Sequence, residues 1–186
     1  MQREYLQQNV YEALQERFEF LFQEFENIYV SFSGGKDSGL LLNLLIDYKR
    51  AHYPDRVIGV FHQDQYTVTT EYITRTFQRL LPEIEPYWIC LPMATRTALS
   101  SYEMYWYPWD DRKPELWVRP MPVYPYVISL EKPFRYYHYR MHQEDLAKQF
   151  GRWYRQIHGD KKTVSLLGIR ADESVQRYSG FLNKKY

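Results

Sequence analysis

Apolar residues near the N-terminus recur every three or four positions, which predicts an amphipathic helix over residues 2–25. The apolar positions of this stretch are Leu14, Phe18, Leu21, Phe22 and Phe25. A short apolar and β-branched run at 28–32 predicts a buried strand. Residues 39–50 are then rich in leucine, which predicts a second helix. Its last two residues are basic, and positive charge is favourable at a helix C-terminus.

The same alternation continues along the chain. Apolar runs at 57–61 and 87–91 predict two more strands, and a helical pattern at 69–81, ended by Pro82, separates them. A later helix over 142–158 precedes a fourth strand at 163–167. Alternating strands and helices predict a single α/β domain over 1–186: an open, mostly parallel, Rossmann-like sheet with helices on both faces.

The alternation stops in a segment at about 102–140 that is rich in Trp, Tyr and Pro. Its prolines exclude long helices and central strands, and its aromatic side chains argue against disorder. We therefore expect an ordered insertion, with the aromatic side chains as a candidate surface for a protein partner. The prolines lie at Pro108, Pro114, Pro120, Pro122, Pro125 and Pro133.

Composition narrows the classes of partner. A net charge of +1 provides no strong field for a polyanion, so we disfavour nucleic acid despite arginines interleaved with aromatic residues at 135–155. No signal-peptide core and no run of roughly 20 apolar residues occurs, which predicts a cytoplasmic protein without a membrane anchor. The single cysteine, Cys90, excludes an internal disulfide.

The candidate chemistry lies directly after the first predicted strand, in Ser31-Phe32-Ser33-Gly34-Gly35-Lys36-Asp37-Ser38. Two glycines permit a tight turn and a close backbone approach to a ligand. The helix that follows directs its N–H groups at the same point, which suits a phosphate. Ser33 and Ser38 add hydroxyl groups, Lys36 adds a cation, and Asp37 is a candidate to cap the helix or hold Mg²⁺.

This segment matches S-G-G-x-D-S and so resembles the PP-loop, or N-type ATP pyrophosphatase, superfamily. It differs from the Walker A loop, which places four residues between its glycines. The resemblance implies binding of ATP or a related adenine nucleotide, with Mg²⁺, and cleavage between the α and β phosphates. It also implies an adenine site at the end of the second strand, where we assign Phe61, His62 and Gln63.

A second segment, 167–177, resembles the G-x-R-x-x-E-S-x-x-R segment of the phosphoadenosine phosphosulfate (PAPS) reductase family. The stretch 88–93 and the aromatic region after it are similar to a subgroup of co-activators of prophage gene expression. The resemblance implies further nucleotide contacts after the fourth strand. The residues concerned are Gly168, Arg170, Glu173, Ser174 and Arg177.

Three functions remain open. The first is an enzyme that cleaves ATP and adenylylates an unknown acceptor, with Lys36, Asp37 and Arg170 as catalytic residues. The second is a nucleotide-binding regulatory module that acts with a partner protein in gene control or phage defence. The third, PAPS reduction, is disfavoured because the C-terminal E-C-G-[LI]-H motif is absent and Cys90 lies in an apolar run. The ending at Tyr186 leaves open whether residues follow it.

Overall fold

A computed structural model describes residues 7–65, 68–97 and 101–170. The helices of this part of the chain are α1 (Val10–Glu24), α2 (Lys36–His52), α3 (Thr70–Leu80), α4 (Gln143–Ile157) and a short 3-10 helix at Pro114–Leu116. The strands are β1 (Asn27–Ser31), β2 (Ile58–Gln63), β3 (Ile84–Ile89), β4 (Thr95–Arg96), β5 (Tyr105–Trp106), β6 (Val127–Ile128) and β7 (Thr163–Leu167).

Helix α1 begins at Val10, later than the predicted start at residue 2, because Asn9 forms a capping box with Glu12. The Asn9 side chain accepts a hydrogen bond from the Glu12 N–H, and the Glu12 carboxylate accepts one from the Asn9 N–H. These bonds satisfy donors that a helix N-terminus leaves without intrahelical partners. Residues 1–6 lie outside the described part of the chain.

Five strands form one parallel sheet in the order β6-β3-β2-β1-β7, which confirms the predicted α/β fold. Successive side chains of a strand point to opposite faces, and here each face is buried under helices. One face packs against α1, α2 and α3, through residues such as Phe22, Leu45 and Phe77. The other packs against α4, through Leu146 and Phe150.

The insertion contributes a strand to the sheet, although its prolines exclude a central strand. Its segment β6 extends the sheet by pairing with β3, which is compatible with proline because β6 is short and lies at the edge. Strands β4 and β5 form a separate antiparallel pair. Two insertion side chains reach the end of β2: the Trp109 indole donates to the Asp64 carbonyl at 2.7 Å, and Arg119 pairs with the Asp64 carboxylate.

The strand order creates a switch point between β1 and β7. Helix α2, which follows β1, covers one face of the sheet, and α4, which precedes β7, covers the other. In open α/β sheets, ligands bind in the crevice outside the carboxyl ends of strands at such a point. Among the described residues, no helix is long and apolar enough to cross a membrane.

Candidate functional site

A cavity of about 240 Å³ opens at the carboxyl edge of the sheet, at the switch point between β1 and β7. It gathers the end of β1, the phosphate loop (residues 33–38), the end of β2, the start of α4 and the end of β7. Segments far apart in the sequence therefore line one space. The lining residues are Ser31, Phe32, Ser33, Ser38, Phe61, Gln63, Gln65, Gln143, Leu167, Gly168 and Ile169.

Two serine hydroxyls hold the phosphate loop in shape. The buried Ser38 hydroxyl donates to the Gly35 carbonyl at 3.2 Å and accepts from the Ser33 N–H at 3.3 Å. The Ser33 and Ser38 oxygens lie 3.0 Å apart, and the Gly35 N–H donates to the Ser33 hydroxyl. In this structure the two hydroxyls therefore stabilise the loop itself. The sequence had suggested instead that they donate to a phosphate.

Gly34 is required by both its conformation and its packing. Its φ of 80° lies in the left-handed region that favours glycine. A Cβ at this position would lie 2.8 Å from Thr69 Cβ and 2.9 Å from Ile73 side-chain carbons. The loop therefore packs directly on the start of α3, which ties the loop to the helix that follows β2.

Helix α2 begins at Lys36, and within the described residues no side-chain hydrogen bond caps its N-terminus. Its first N–H groups are thus available to an anion, and the helix dipole favours negative charge there. Lys36 is exposed and Asp37 is partly exposed in this first turn. The predicted anion site therefore has its backbone donors and its cation in one place.

The end of β7 forms a second wall against the phosphate loop. A Cβ on Gly168 would lie 2.7 Å from the Asp37 carbonyl carbon and from two Ser38 backbone atoms. Arg170 Nε lies 3.4 Å from Asp37 Oδ2, in an ion pair whose side chains are 62% and 40% exposed. The structure thus brings Gly168 and Arg170 to the loop, whereas Glu173, Ser174 and Arg177 lie outside the described residues.

The structure places the His62 side chain away from the cavity, so the predicted adenine contact of this residue stays a prediction for its backbone groups. Phe61 and Gln63 line the cavity, but His62 lies between them on the opposite face, because strand side chains alternate. His62 is 2% exposed, packs against Phe77 and Trp88, and its Nδ1 lies 2.7 Å from the Phe32 carbonyl oxygen. Burial lowers its pKa, which indicates a neutral core histidine.

Sequence reasoning missed several cavity residues, of which Gln65 and Gln143 carry polar groups. Gln143 is the first residue of α4, and a helix that leads into a parallel strand begins at the carboxyl edge of the sheet. The predicted helix over 142–158 and the predicted strand after it therefore already indicated that the start of this helix lies near the cavity. Gln65 follows the end of β2 and had no comparable signal. The remaining missed residues are Phe32, Leu167 and Ile169.

Cys90 is buried in the core, at 1% exposure. Burial, assisted by the nearby Asp64 carboxylate, raises the pKa of its thiol well above the ordinary value. The thiolate is the nucleophilic form of cysteine, so this environment disfavours a catalytic role.

A larger cavity of about 520 Å³ lies on the insertion, and we call it the aromatic pocket. An ion pair between Arg140 and the buried Asp110 lies in its wall, and the Arg140 guanidinium stands 4.1 Å from the Tyr107 ring centroid. Burial alone would raise the pKa of Asp110, but hydrogen bonds from Arg140, Tyr139 and the Arg112 N–H lower it to about 2. The pocket is lined by Tyr102, Glu103, Met104, Tyr105, Trp106, Tyr107, Asp110, Lys113, Leu116 and Arg140.

We expect Asp110→Asn to lower the free energy of unfolding at pH 7 by about 2 kcal/mol, because the substitution removes the charge that pairs with Arg140. A carboxyl whose pKa falls from 3.8 to about 2 on folding stabilises the protein above pH 3.8 and loses that contribution as the pH approaches 2. Urea unfolding of the wild type and of Asp110→Asn, at pH 7 and near pH 2, measures how the difference in unfolding free energy depends on pH. The exposed Asp55→Asn is the control, and an Asp110→Asn effect independent of pH would contradict the assignment.

The chain is similar to the uncharacterized protein YbdN of Escherichia coli (strain K12), with 32% identity over 183 residues. The alignment covers 95% of this chain and 43% of YbdN, so the chain spans less than half the length of that relative. No family model matches the chain. No solved structure matches it significantly either. The geometry of the cavity therefore carries the functional argument.

Proposed function

We propose that the chain binds ATP in the cavity between β1 and β7 and cleaves it between the α and β phosphates, which transfers the adenylyl group to an acceptor. The observation that carries this proposal is the convergence of three features at the switch point. These are the phosphate loop, the uncapped start of α2, and the wall formed by Gly168 and Arg170. The S-G-G-x-D-S pattern of the loop adds the expectation of pyrophosphate as the leaving group.

The described residues supply donors and cations for that reaction. The first N–H groups of α2 and the Lys36 ammonium would bind the pyrophosphate oxygens. Arg170 would offset the charge that develops on the leaving group. Its ion pair with Asp37 is partly exposed, and exposed ion pairs contribute little stability, so the Asp37 carboxylate competes only weakly with a phosphate for Arg170.

Magnesium fits this site only as a partner of the nucleotide. Among the described residues no group of three or more acidic, His or Cys side chains is placed to hold a metal ion. Mg²⁺ commonly takes one or two carboxylates together with phosphate oxygens and water, and Asp37 would be the carboxylate here. When bound, the ion would neutralise phosphate charge, while the protein residues position the phosphates.

A nucleotide-binding regulatory module is the second candidate, and the aromatic pocket is the observation that favours it. Tyr102, Met104 and Leu116 are 97%, 62% and 68% exposed around that pocket. Exposed aromatic and apolar side chains in a cluster are typical of protein interfaces. The burial of Cys90 gives no support to PAPS reduction by the described residues.

Incubation of the intact protein with Mg²⁺ and α-labelled ATP, with and without cell extract, tests the enzymatic proposal. The proposal predicts release of pyrophosphate and transfer of labelled AMP, both lost in Lys36→Ala. Tight binding of ATP without turnover in either condition would contradict the enzyme and favour the regulatory module. Absence of ATP binding would contradict both functions.

A further inference from the structure

The proposed reaction requires a site for the acceptor, and the aromatic pocket lies next to the nucleotide cavity. Gln65 lines the nucleotide cavity, and the carbonyl of the preceding Asp64 accepts a hydrogen bond from the Trp109 indole at 2.7 Å. Asp110, the residue after Trp109, lines the aromatic pocket. The two cavities therefore meet at the contact between these two segments.

His142 forms a second contact between the two cavities. It precedes Gln143, which lines the nucleotide cavity, and its ring packs against Tyr105 of the aromatic pocket, with ring centroids 5.3 Å apart. Its backbone is fixed, because the residues on either side of it form hydrogen bonds with the backbone of Ala94. The His142 side chain is exposed and does not cap α4, and within the described residues its ring nitrogens form no hydrogen bond. The imidazole can therefore exchange a proton with a ligand.

No other general base is placed at the nucleotide cavity among the described residues. The side chains that line the cavity are serines, glutamines and apolar groups, without a carboxylate, imidazole or thiol. His62 is buried on the opposite face of the sheet, and the Asp37 carboxylate pairs with Arg170. Histidine is the side chain that most often acts as a general base. A base is required when the acceptor has a proton to lose, as a hydroxyl group has and a carboxylate has not.

The aromatic pocket suits a neutral acceptor that carries an apolar or planar group. Four of its lining residues are aromatic, and such side chains offer a large contact area to a ring. Its charged residues are two acidic and two basic ones, which gives no net charge to attract an anion. Its volume of about 520 Å³ lies in the range of small-molecule sites.

We propose that the aromatic pocket binds the acceptor, a small aromatic molecule with a neutral hydroxyl group, and that His142 is the general base that activates it. This inference rests on the proposed function and specifies its acceptor. The His142 imidazole takes the hydroxyl proton, and the hydroxyl oxygen bonds to the α-phosphorus of ATP. The bond from the α-phosphorus to the oxygen shared with the β-phosphorus breaks, and pyrophosphate leaves with the electron pair. The products are an AMP ester of the acceptor, pyrophosphate and a protonated His142.

Transfer of labelled AMP from α-labelled ATP, by the intact protein with Mg²⁺ and cell extract, tests the base. His142→Ala should slow transfer by about 100-fold or more, the contribution of a general base, and leave the affinity for ATP unchanged. Free imidazole should restore part of the rate. His52→Ala, which removes an exposed histidine at the far end of α2, is the matched control and should behave as the wild type. Undiminished transfer by His142→Ala, or a loss that imidazole does not restore, would overturn the base.

The labelled product tests the class of acceptor. An AMP ester of a hydroxyl group is stable to hydroxylamine, whereas the mixed anhydride that a carboxylate forms releases AMP. The label should also pass a filter that retains macromolecules. Added 2-phenylethanol should compete with the acceptor of the extract, and phenylacetate, its anionic counterpart, should not. Release of AMP by hydroxylamine, label retained by the filter, or equal competition by the two compounds would overturn the proposed acceptor.

A charge in the pocket tests its location. Met104→Lys should lower transfer about 10-fold without changing the affinity for ATP, since it removes an apolar contact with the acceptor. Val123→Lys, at an exposed position outside the pocket, is the control and should transfer as the wild type does. Equal transfer by the two variants would refute the pocket as the acceptor site and leave ATP cleavage supported. A wild-type protein that transfers no AMP would refute the proposed enzymatic function itself.

Discussion

Lys36→Ala is expected to weaken ATP binding by about 10- to 100-fold, the effect of losing a hydrogen bond between charged groups. The ammonium lies in the first turn of α2, beside N–H groups that already favour an anion. Because Lys36 is exposed, its removal should leave the folded structure intact. Titration calorimetry with ATP and Mg²⁺ measures the loss.

The control for this variant is Lys148→Ala, which removes an exposed lysine of α4 and changes the net charge equally. It should bind ATP as the wild type does. Equal affinity of Lys36→Ala and Lys148→Ala for ATP would show that the cation of the phosphate loop does not contact the nucleotide.

Gly168→Ala is expected to abolish measurable ATP binding, although it adds a single methyl group. That methyl group would lie 2.7 Å from backbone atoms of Asp37 and Ser38, closer than side-chain carbons pack. Both contacts are with backbone atoms that cannot rotate away, so β7 and the start of α2 must separate. The phosphate loop and its second wall would then no longer face one another.

Thermal unfolding and circular dichroism distinguish this local effect from loss of the fold. We expect Gly168→Ala to remain folded, with a lower melting temperature, since the clash lies at the carboxyl edge of the sheet and outside the hydrophobic core on either face. Wild-type ATP affinity in a folded Gly168→Ala protein would contradict the close packing of β7 on the loop.

The features predicted well from the sequence are those that depend on local patterns. The phosphate loop follows from glycines and hydroxyl residues between a strand and a helix, and the observed loop begins after β1 as expected. The parallel sheet follows from the alternation of strands and helices. The contact of Gly168 with the loop follows from the sheet topology, because β7 pairs directly with β1.

The features that the sequence did not predict depend on register and on long-range contacts. The burial of the His62 side chain depends on its position in the strand, because a shift of one residue reverses the face to which a side chain points. The pairing of β6 with β3 and the contacts of Trp109 and Arg119 with Asp64 join the insertion to the end of β2. No local sequence pattern encodes these partners, so the sequence did not predict where the insertion packs on the sheet.

Hydrogen exchange of the intact protein, measured with and without ATP and Mg²⁺, tests the location of the nucleotide site most directly. Binding in the cavity should slow exchange of the backbone amides in residues 33–39 and 168–170 and in the first turn of α4. The insertion around residues 102–116 should exchange at an unchanged rate. Slowed exchange confined to that insertion, or no change in the phosphate loop at saturating ATP, would contradict the site.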